Sequence, residues 1–408
     1  MSDPVDARTG PERREPDAPD SPRSVGWTRP QHVRLADAEN PLPLDGGGLL
    51  APVDVEFETY GELSPARDNA ILIFHALSGD AHVAGWDETW REYGRNWRSK
   101  RPGWWDEMVG PGKAFDTDRY FVICANGLGS CYGTTGPSST DHETGRPFGL
   151  RYPVVTVGDW VRLQVRLLDH LGIDKLVAAS GGSLGGQQAI ELGLAYPERV
   201  EGLIVLAAAA RLSTQGLAFN YVARHAITND PRFHGGDYYD QFETPDGGLG
   251  IARMIGHITY LSETSMWRKF ARRWQAGGGP GYSFDIEFEV ESYLNHQAEA
   301  FSERFDANSY LYITKAADYY DPAERYGEGD LATACRRARG KWLVASFTSD
   351  WLYTPAACQE LVHALVASGK PVSYINIHSS YGHDAFLLEV EWVDRLVRGF
   401  LAGLGNHG

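Results

Sequence analysis

A chain of 408 residues with 42% apolar content can bury one large core with an insertion, or two cores. Its formal charge of −16 at pH 7, with no long basic run, argues against a nucleic-acid partner and favours solubility. The four cysteines, Cys124, Cys131, Cys335 and Cys358, form no C-x-x-C pair, and no histidines stand at finger-like spacing, so neither a disulfide framework nor a metal site is indicated and reduced thiols in a cytoplasm are the simplest reading.

The first 30 residues hold six prolines, five arginines and six acidic residues with no apolar stretch. They lack the pattern of a signal peptide, and residues 1–32 are expected to be a disordered extension. From Val33 the pattern becomes globular. Residues 49–60 alternate as a strand does, and Ala70-Ile-Leu-Ile-Phe74 is an apolar run of the kind buried on both faces of a sheet. It ends in the glycine-containing loop His75-Ala-Leu-Ser-Gly79. Residues 86–105, rich in tryptophan and arginine, read as a surface excursion. A second buried strand, 119–124, leads into a long Gly/Ser/Thr loop. Residues 156–171 carry apolar side chains at helical spacing, with Gly172 as a stop. Another apolar strand covers 202–207. The longest strongly apolar run, near 203–210, is far too short to span a bilayer, so no membrane partner is expected.

Around Arg211 the pattern changes. Helical, aromatic-rich segments dominate, with helices expected at 217–227, 251–263 and 284–306 and a loop at 229–249. The sheet returns with Lys341-Trp-Leu-Val-Ala-Ser-Phe347, followed by a helix at 356–368, a last strand at 372–377 and a closing helix at 387–404. Strands alternating with helices imply a mostly parallel sheet covered on both faces. The expected organisation is an α/β core from 33–210 and 331–408, with 211–330 inserted as a helical lid.

One turn organises the chemistry. Between the strand-like start and the helical end of 175–197 stands Gly181-Gly182-Ser183-Leu184-Gly185, which fits the G-x-S-x-G of a nucleophile elbow. Ser183 would stand where a strand ends and a helix begins, a place that favours developing negative charge. The motif alone is equally compatible with a glycine-rich turn of no chemical role. Two further strand ends decide between them. Asp350 directly follows the strand 341–347, and His383 lies in the loop after the last strand. The order Ser183, Asp350, His383 is that of α/β-hydrolase triads. His378 is the rival base but closes the strand too early. An oxyanion hole would take one backbone N–H from Leu184, and a second from the 75–79 loop, placed at Leu77.

Longer stretches carry a resemblance. His75-Ala-Leu-Ser-Gly-Asp80, Pro102-Gly-Trp-Trp-Asp106, Gly133-Thr-Thr-Gly-Pro-Ser-Ser139, Ala252-Arg-Met-Ile-Gly-His-Ile-Thr-Tyr260, Arg304-Phe-Asp-Ala-Asn-Ser-Tyr310 and Gly382-His-Asp-Ala-Phe-Leu387 resemble the homoserine O-acyltransferases of methionine synthesis, members of the α/β-hydrolase superfamily. The resemblance implies ping-pong acyl transfer from an acyl-CoA to the hydroxyl of L-homoserine, with no permanently bound cofactor. It assigns Arg253 to the acceptor's carboxylate and Asp384 to its ammonium, with Tyr260 lining the same site. It also implies a homodimer formed through the helical insertion. Many members carry methionine where this chain has Gln187, and methionine or phenylalanine where it has Leu184. Succinyl-using members tend to have arginine two positions beyond the triad acid; here that residue is Leu352, so acetyl-CoA is the expected co-substrate. The alternatives are a succinyl user, a serine O-acyltransferase and an esterase on the same fold.

Overall fold

Five apolar runs form the middle of an eight-stranded sheet. The computed structural model describes residues 16–275 and 278–404. Its main strands are β1 (Gln31–Ala36), β2 (Val53–Tyr60), β3 (Ala70–Phe74), β4 (Phe121–Ala125), β5 (Leu176–Gly182), β6 (Val200–Leu206), β7 (Lys341–Phe347) and β8 (Val372–Ile377). They lie in the order β8-β7-β6-β5-β3-β4-β2-β1. The six strands from β8 to β4 pair in parallel, and β2 and β1 add antiparallel. Strands β3 to β7 are buried almost throughout, as strands covered on both faces must be.

Helices α1 (Val157–His170), α2 (Leu184–Ala195) and α10 (Pro355–Ala367) cover one face, where Leu163, Leu167, Ile190 and Leu361 join the larger core. On the other face the short helix α11 (Ala385–Leu388) precedes α12 (Val390–Leu404), whose Val393, Val397 and Leu401 pack with Ile73, Ile204 and Phe347. Helix α1 starts where its sequence says it should. The Thr156 hydroxyl accepts from the Asp159 N–H while Asp159 reaches back to the Thr156 N–H, a capping box.

Between β6 and β7 the described residues form seven α-helices: α3 (Thr214–Thr228), α4 (Asp246–Tyr260), α5 (Glu263–Phe270), α6 (Glu289–Ser302), α7 (Ala307–Tyr319), α8 (Pro322–Gly327) and α9 (Leu331–Cys335). The expected loop at 229–249 therefore ends earlier, at the start of α4.

Two expectations need correction. Residues 1–15 lie outside the described residues, but 16–32, expected to be disordered, are packed. Trp27–Thr28 pairs in parallel with Trp86–Asp87, the Asp17 carbonyl accepts from the Trp86 indole N–H at 3.0 Å, and the Asp17 carboxylate lies 3.2 Å from the Lys113 ammonium. Residues 86–105 are not a surface excursion either. Arg95, Arg98 and Trp105 are buried; Arg98 pairs with Asp87 at 2.8 Å and Asp80 at 2.5 Å, and Arg95 with Glu56 at 2.6 Å. Buried guanidiniums are tolerable because each meets a carboxylate. No helix among the described residues is long and apolar enough to cross a membrane.

Candidate active site

The elbow is as tight as its glycines imply. Ser183 has φ 57° and ψ −126°, a conformation that costs a non-glycine residue ~1–3 kcal/mol. A Cβ on Gly181 would lie 2.3 Å from the Gly185 carbonyl, and one on Gly185 would lie 2.2 Å from the Phe74 carbonyl oxygen. The turn therefore closes only with hydrogen at both positions. The Ser183 N–H is held by the Leu206 carbonyl at 3.0 Å, which fixes the nucleophile's register against β6.

The structure brings Ser183, His383 and Asp350 together across 200 residues of sequence. His383 Nε2 lies 2.7 Å from Ser183 Oγ, and His383 Nδ1 lies 2.8 Å from Asp350 Oδ2. The other carboxylate oxygen, Oδ1, accepts from the N–H groups of Leu352 and Tyr353 at 3.0 and 2.9 Å. The acid therefore has a single orientation. Burial pulls the His383 pKa down, but the charge and hydrogen bond of Asp350, with Asp384 adding, outweigh it and leave the pKa raised above its ordinary value. The ring stacks on Tyr353 (centroids 5.3 Å apart, planes at 29°) and touches Tyr260 and Phe386. His378 is exposed at the end of β8 and is not part of this arrangement.

Leu184 opens α2 immediately after Ser183, and Leu77 lies in the loop after β3. Both line one small cavity with His75, Gly127 and Gln188. That loop is built to hold its shape. The Gly79 N–H bonds the Ala76 carbonyl at 3.0 Å, closing a turn around Leu77 and Ser78, and His75 Nε2 accepts from the Gly127 N–H at 3.0 Å.

The lid supplies the other wall. Arg253 on α4 lies over Phe301 (4.6 Å to the ring centroid) and Tyr260 (5.9 Å). Its Nε is buried with no hydrogen-bond partner among the described residues. Burial holds its pKa below the ordinary value; Tyr260 and Asp384 act the other way, and Arg304 adds to the lowering. One turn on, burial pushes the His257 pKa down to about 3, with Arg253 next in effect, so this imidazole is neutral. A desolvated guanidinium with an unused donor is suited to an incoming carboxylate. Asp384 directly follows His383 in the turn Gly382–Asp384. A Cβ on Gly382 would lie 2.5 Å from the Tyr260 carbonyl oxygen, so the end of α4 and the histidine loop are in direct backbone contact.

A model described as the alpha/beta hydrolase fold matches residues 69–390. The chain is 49% identical over 382 residues to a homoserine O-acetyltransferase of Desulfotalea psychrophila, covering 94% of this chain and 96% of that one. It is 52% identical over 369 residues to a homoserine O-succinyltransferase of Laribacter hongkongensis, covering 90% and 94%. The chain belongs to the homoserine O-acyltransferase family. A crystal structure of homoserine O-acetyltransferase from Bacillus anthracis superposes with a TM-score of 0.82 at 28% identity, over 92% of this chain and 98% of that one. Among homoserine O-acyltransferases, then, the relatives' names divide over the donor.

Leu352 lies against that question. It packs with Ala209, Leu212, Tyr353 and Cys358 in a small apolar cluster beside Asp350. The Gln187 amide nitrogen reaches the Ala209 carbonyl at 3.5 Å, while its oxygen is buried without a partner among the described residues. Sequence reasoning missed Tyr353, which backs the His383 ring, and Arg304, which joins the lid to the loop holding Leu77. Tyr353 stands three residues past the triad acid, and that proximity is the only signal it left.

Proposed function

We propose that this homoserine O-acyltransferase moves an acetyl group from acetyl-CoA to the hydroxyl of L-homoserine, giving O-acetyl-L-homoserine. His383, with Nδ1–H donated to Asp350, takes the Ser183 proton at Nε2. Ser183 Oγ adds to the thioester carbonyl, the Leu77 and Leu184 N–H groups receive the oxyanion, and the C–S bond breaks. The imidazolium returns the proton to the departing CoA thiolate. Homoserine then binds with its carboxylate on Arg253 and its ammonium on Asp384, beside Tyr260. His383 takes the homoserine hydroxyl proton, the new ester C–O bond forms, and Ser183 leaves with the proton restored.

The observation that carries the acetyl assignment is Leu352. A succinyl chain would bring its distal carboxylate to an apolar cluster, and leaving that charge unpaired would cost several kcal/mol, about 3 or more. The succinyl reading is favoured by the names of most of the similar relatives, among them the Laribacter protein at 52% identity and a Halothiobacillus neapolitanus protein at 49%. Initial rates of thiol release with acetyl-CoA and succinyl-CoA, each with and without homoserine or serine, separate the readings. Acetyl-CoA with homoserine is expected to give the highest kcat/KM. Leu352→Arg is expected to move the ratio toward succinyl-CoA. A higher kcat/KM with succinyl-CoA would overturn the assignment, and thiol release independent of any acceptor would point to an esterase. For the assembly, exposed Tyr221, Val222, Ile251 and Trp267 on α3, α4 and α5 support a homodimer formed through the lid.

A further inference from the structure

The 75–81 loop is gripped from two directions. From the loop after β4, the Gly127 N–H donates to His75 Nε2 at 3.0 Å, and the Asn126 side-chain oxygen accepts from the Ala81 N–H at 2.6 Å. From the lid, Arg304 Nη1 donates to the Ser78 carbonyl at 3.1 Å and to the Tyr132 hydroxyl at 2.6 Å. These grips are joined. The Tyr132 carbonyl accepts from the Asn126 side-chain amide, and the Tyr132 ring meets Phe305 edge-on at 5.8 Å, next to Arg304 in sequence. Arg304 also lies over Phe301, 5.2 Å from its centroid, and Arg253 shares that ring.

We propose that Arg304 is a positioning residue for the oxyanion hole, through which the lid sets the Leu77–Ser78 turn for acylation. The inference rests on the proposed acyl-serine mechanism and on Leu77 as a donor. Three features support it. The Ser78 carbonyl and the Gly79 N–H belong to one peptide, and that N–H holds the Ala76 carbonyl, whose own peptide carries the Leu77 N–H, so a donor on Ser78 restrains the rotation that would swing the Leu77 N–H away. The donor is a guanidinium, which makes a stronger bond to a carbonyl than a neutral group does. Its hydrogen-bond partners among the described residues are neutral acceptors, the Ser78 carbonyl and the Tyr132 hydroxyl, so no carboxylate among them holds it away from the turn. Acylation then proceeds only with the lid's α6 end seated on the loop, and the acceptor clamp at Arg253 is in place at the same time through the shared Phe301.

The test uses the full chain and separates acylation from acceptor use. CoA release in the first turnover with acetyl-CoA and no acceptor reads acylation; the homoserine KM at saturating acetyl-CoA reads the clamp. Arg304→Gln is expected to slow acylation by about 10-fold or more while the homoserine KM stays within about threefold. Arg304→Lys, which keeps a charged donor, is expected to recover part of that loss, and Arg253→Gln to show the reverse split. An unchanged acylation rate in Arg304→Gln, or a homoserine KM that rises while acylation stays normal, would overturn the proposal. If Arg304→Gln does not fold, Tyr132→Phe removes only the companion acceptor; it is expected to slow acylation by a smaller factor, and an unchanged rate there would count against the proposal. Ser183→Ala runs alongside. CoA release surviving in it would sink the acyl-serine reading itself, whereas a dead Ser183→Ala beside a fully active Arg304→Gln sinks only the role of Arg304.

Discussion

At the residue scale, the arrangement turns on the protonation of His383. The base role proposed for it needs the neutral ring, and its pKa is raised above the ordinary value of 6.5, Asp350 outweighing burial. The acylation rate is therefore expected to fall on the acid side with an apparent pKa above 6.5, read from kcat/KM for acetyl-CoA against pH. Asp350→Asn removes the carboxylate that raises it, so the acid limb should move to lower pH while kcat drops, on the order of 10⁴-fold if the wrong tautomer results. For stability the sign runs the other way. A pKa raised by folding contributes stability that is fully present below the unfolded value and is lost as pH rises through the folded one. Gly181→Ala and Gly185→Ala place a methyl against backbone at 2.3 and 2.2 Å. Each is expected to destabilise the protein by ~1–3 kcal/mol or more, measured by denaturant unfolding. Much of this was legible in sequence, because an elbow and two strand-end residues are local patterns. The pairings Arg98–Asp80 and Arg304–Ser78 were not, since nothing local announces a partner 18 or 226 residues away.

At the element scale, α4 joins the two halves of the site. Its last residue touches the histidine loop at Gly382, and the chain just beyond it is hooked twice more: Trp351 donates its indole N–H to the Leu261 carbonyl at 3.0 Å, and the Ser262 hydroxyl bonds the Ser380 carbonyl. Gly382→Ala, with its methyl 2.5 Å from the Tyr260 carbonyl oxygen and a φ of +72°, should push α4 from that loop. The expected result is a homoserine KM raised more than the acetyl-CoA KM, seen in two-substrate kinetics. Equal effects on both would argue that the contact only stabilises the fold. Helices with a polar face were visible in the sequence. Helix α7 was not, because residues from Ala307 to Ala317 are buried nearly all round and leave no periodic stripe. The packing of residues 16–32 escaped for a related reason. Composition predicts the absence of a core within a segment, whereas Asp17 and Trp27 are held by Lys113 and Trp86 from elsewhere.

At the scale of the whole molecule, the helical insertion between β6 and β7 reaches the site at Tyr260, against the His383 ring, and carries exposed Tyr221, Val222, Ile251 and Trp267 on α3, α4 and α5. Sedimentation equilibrium is expected to give twice the chain mass of 45.1 kDa, and Tyr221→Glu with Val222→Glu to shift the protein toward monomer. A wild-type monomer would remove the dimer from the account. In the proposed mechanism the lid's two arginines and the elbow serve one covalent intermediate, and its formation can be tested directly. The protein is mixed with acetyl-CoA without acceptor, quenched in acid, digested and weighed by mass spectrometry, then the experiment is repeated after a chase with homoserine. The account predicts one acetyl group on the peptide containing Ser183, lost on the chase as O-acetylhomoserine appears. A Ser183 peptide left unmodified by acetyl-CoA but loaded by succinyl-CoA, or O-acetylhomoserine formed by Ser183→Ala, would contradict it.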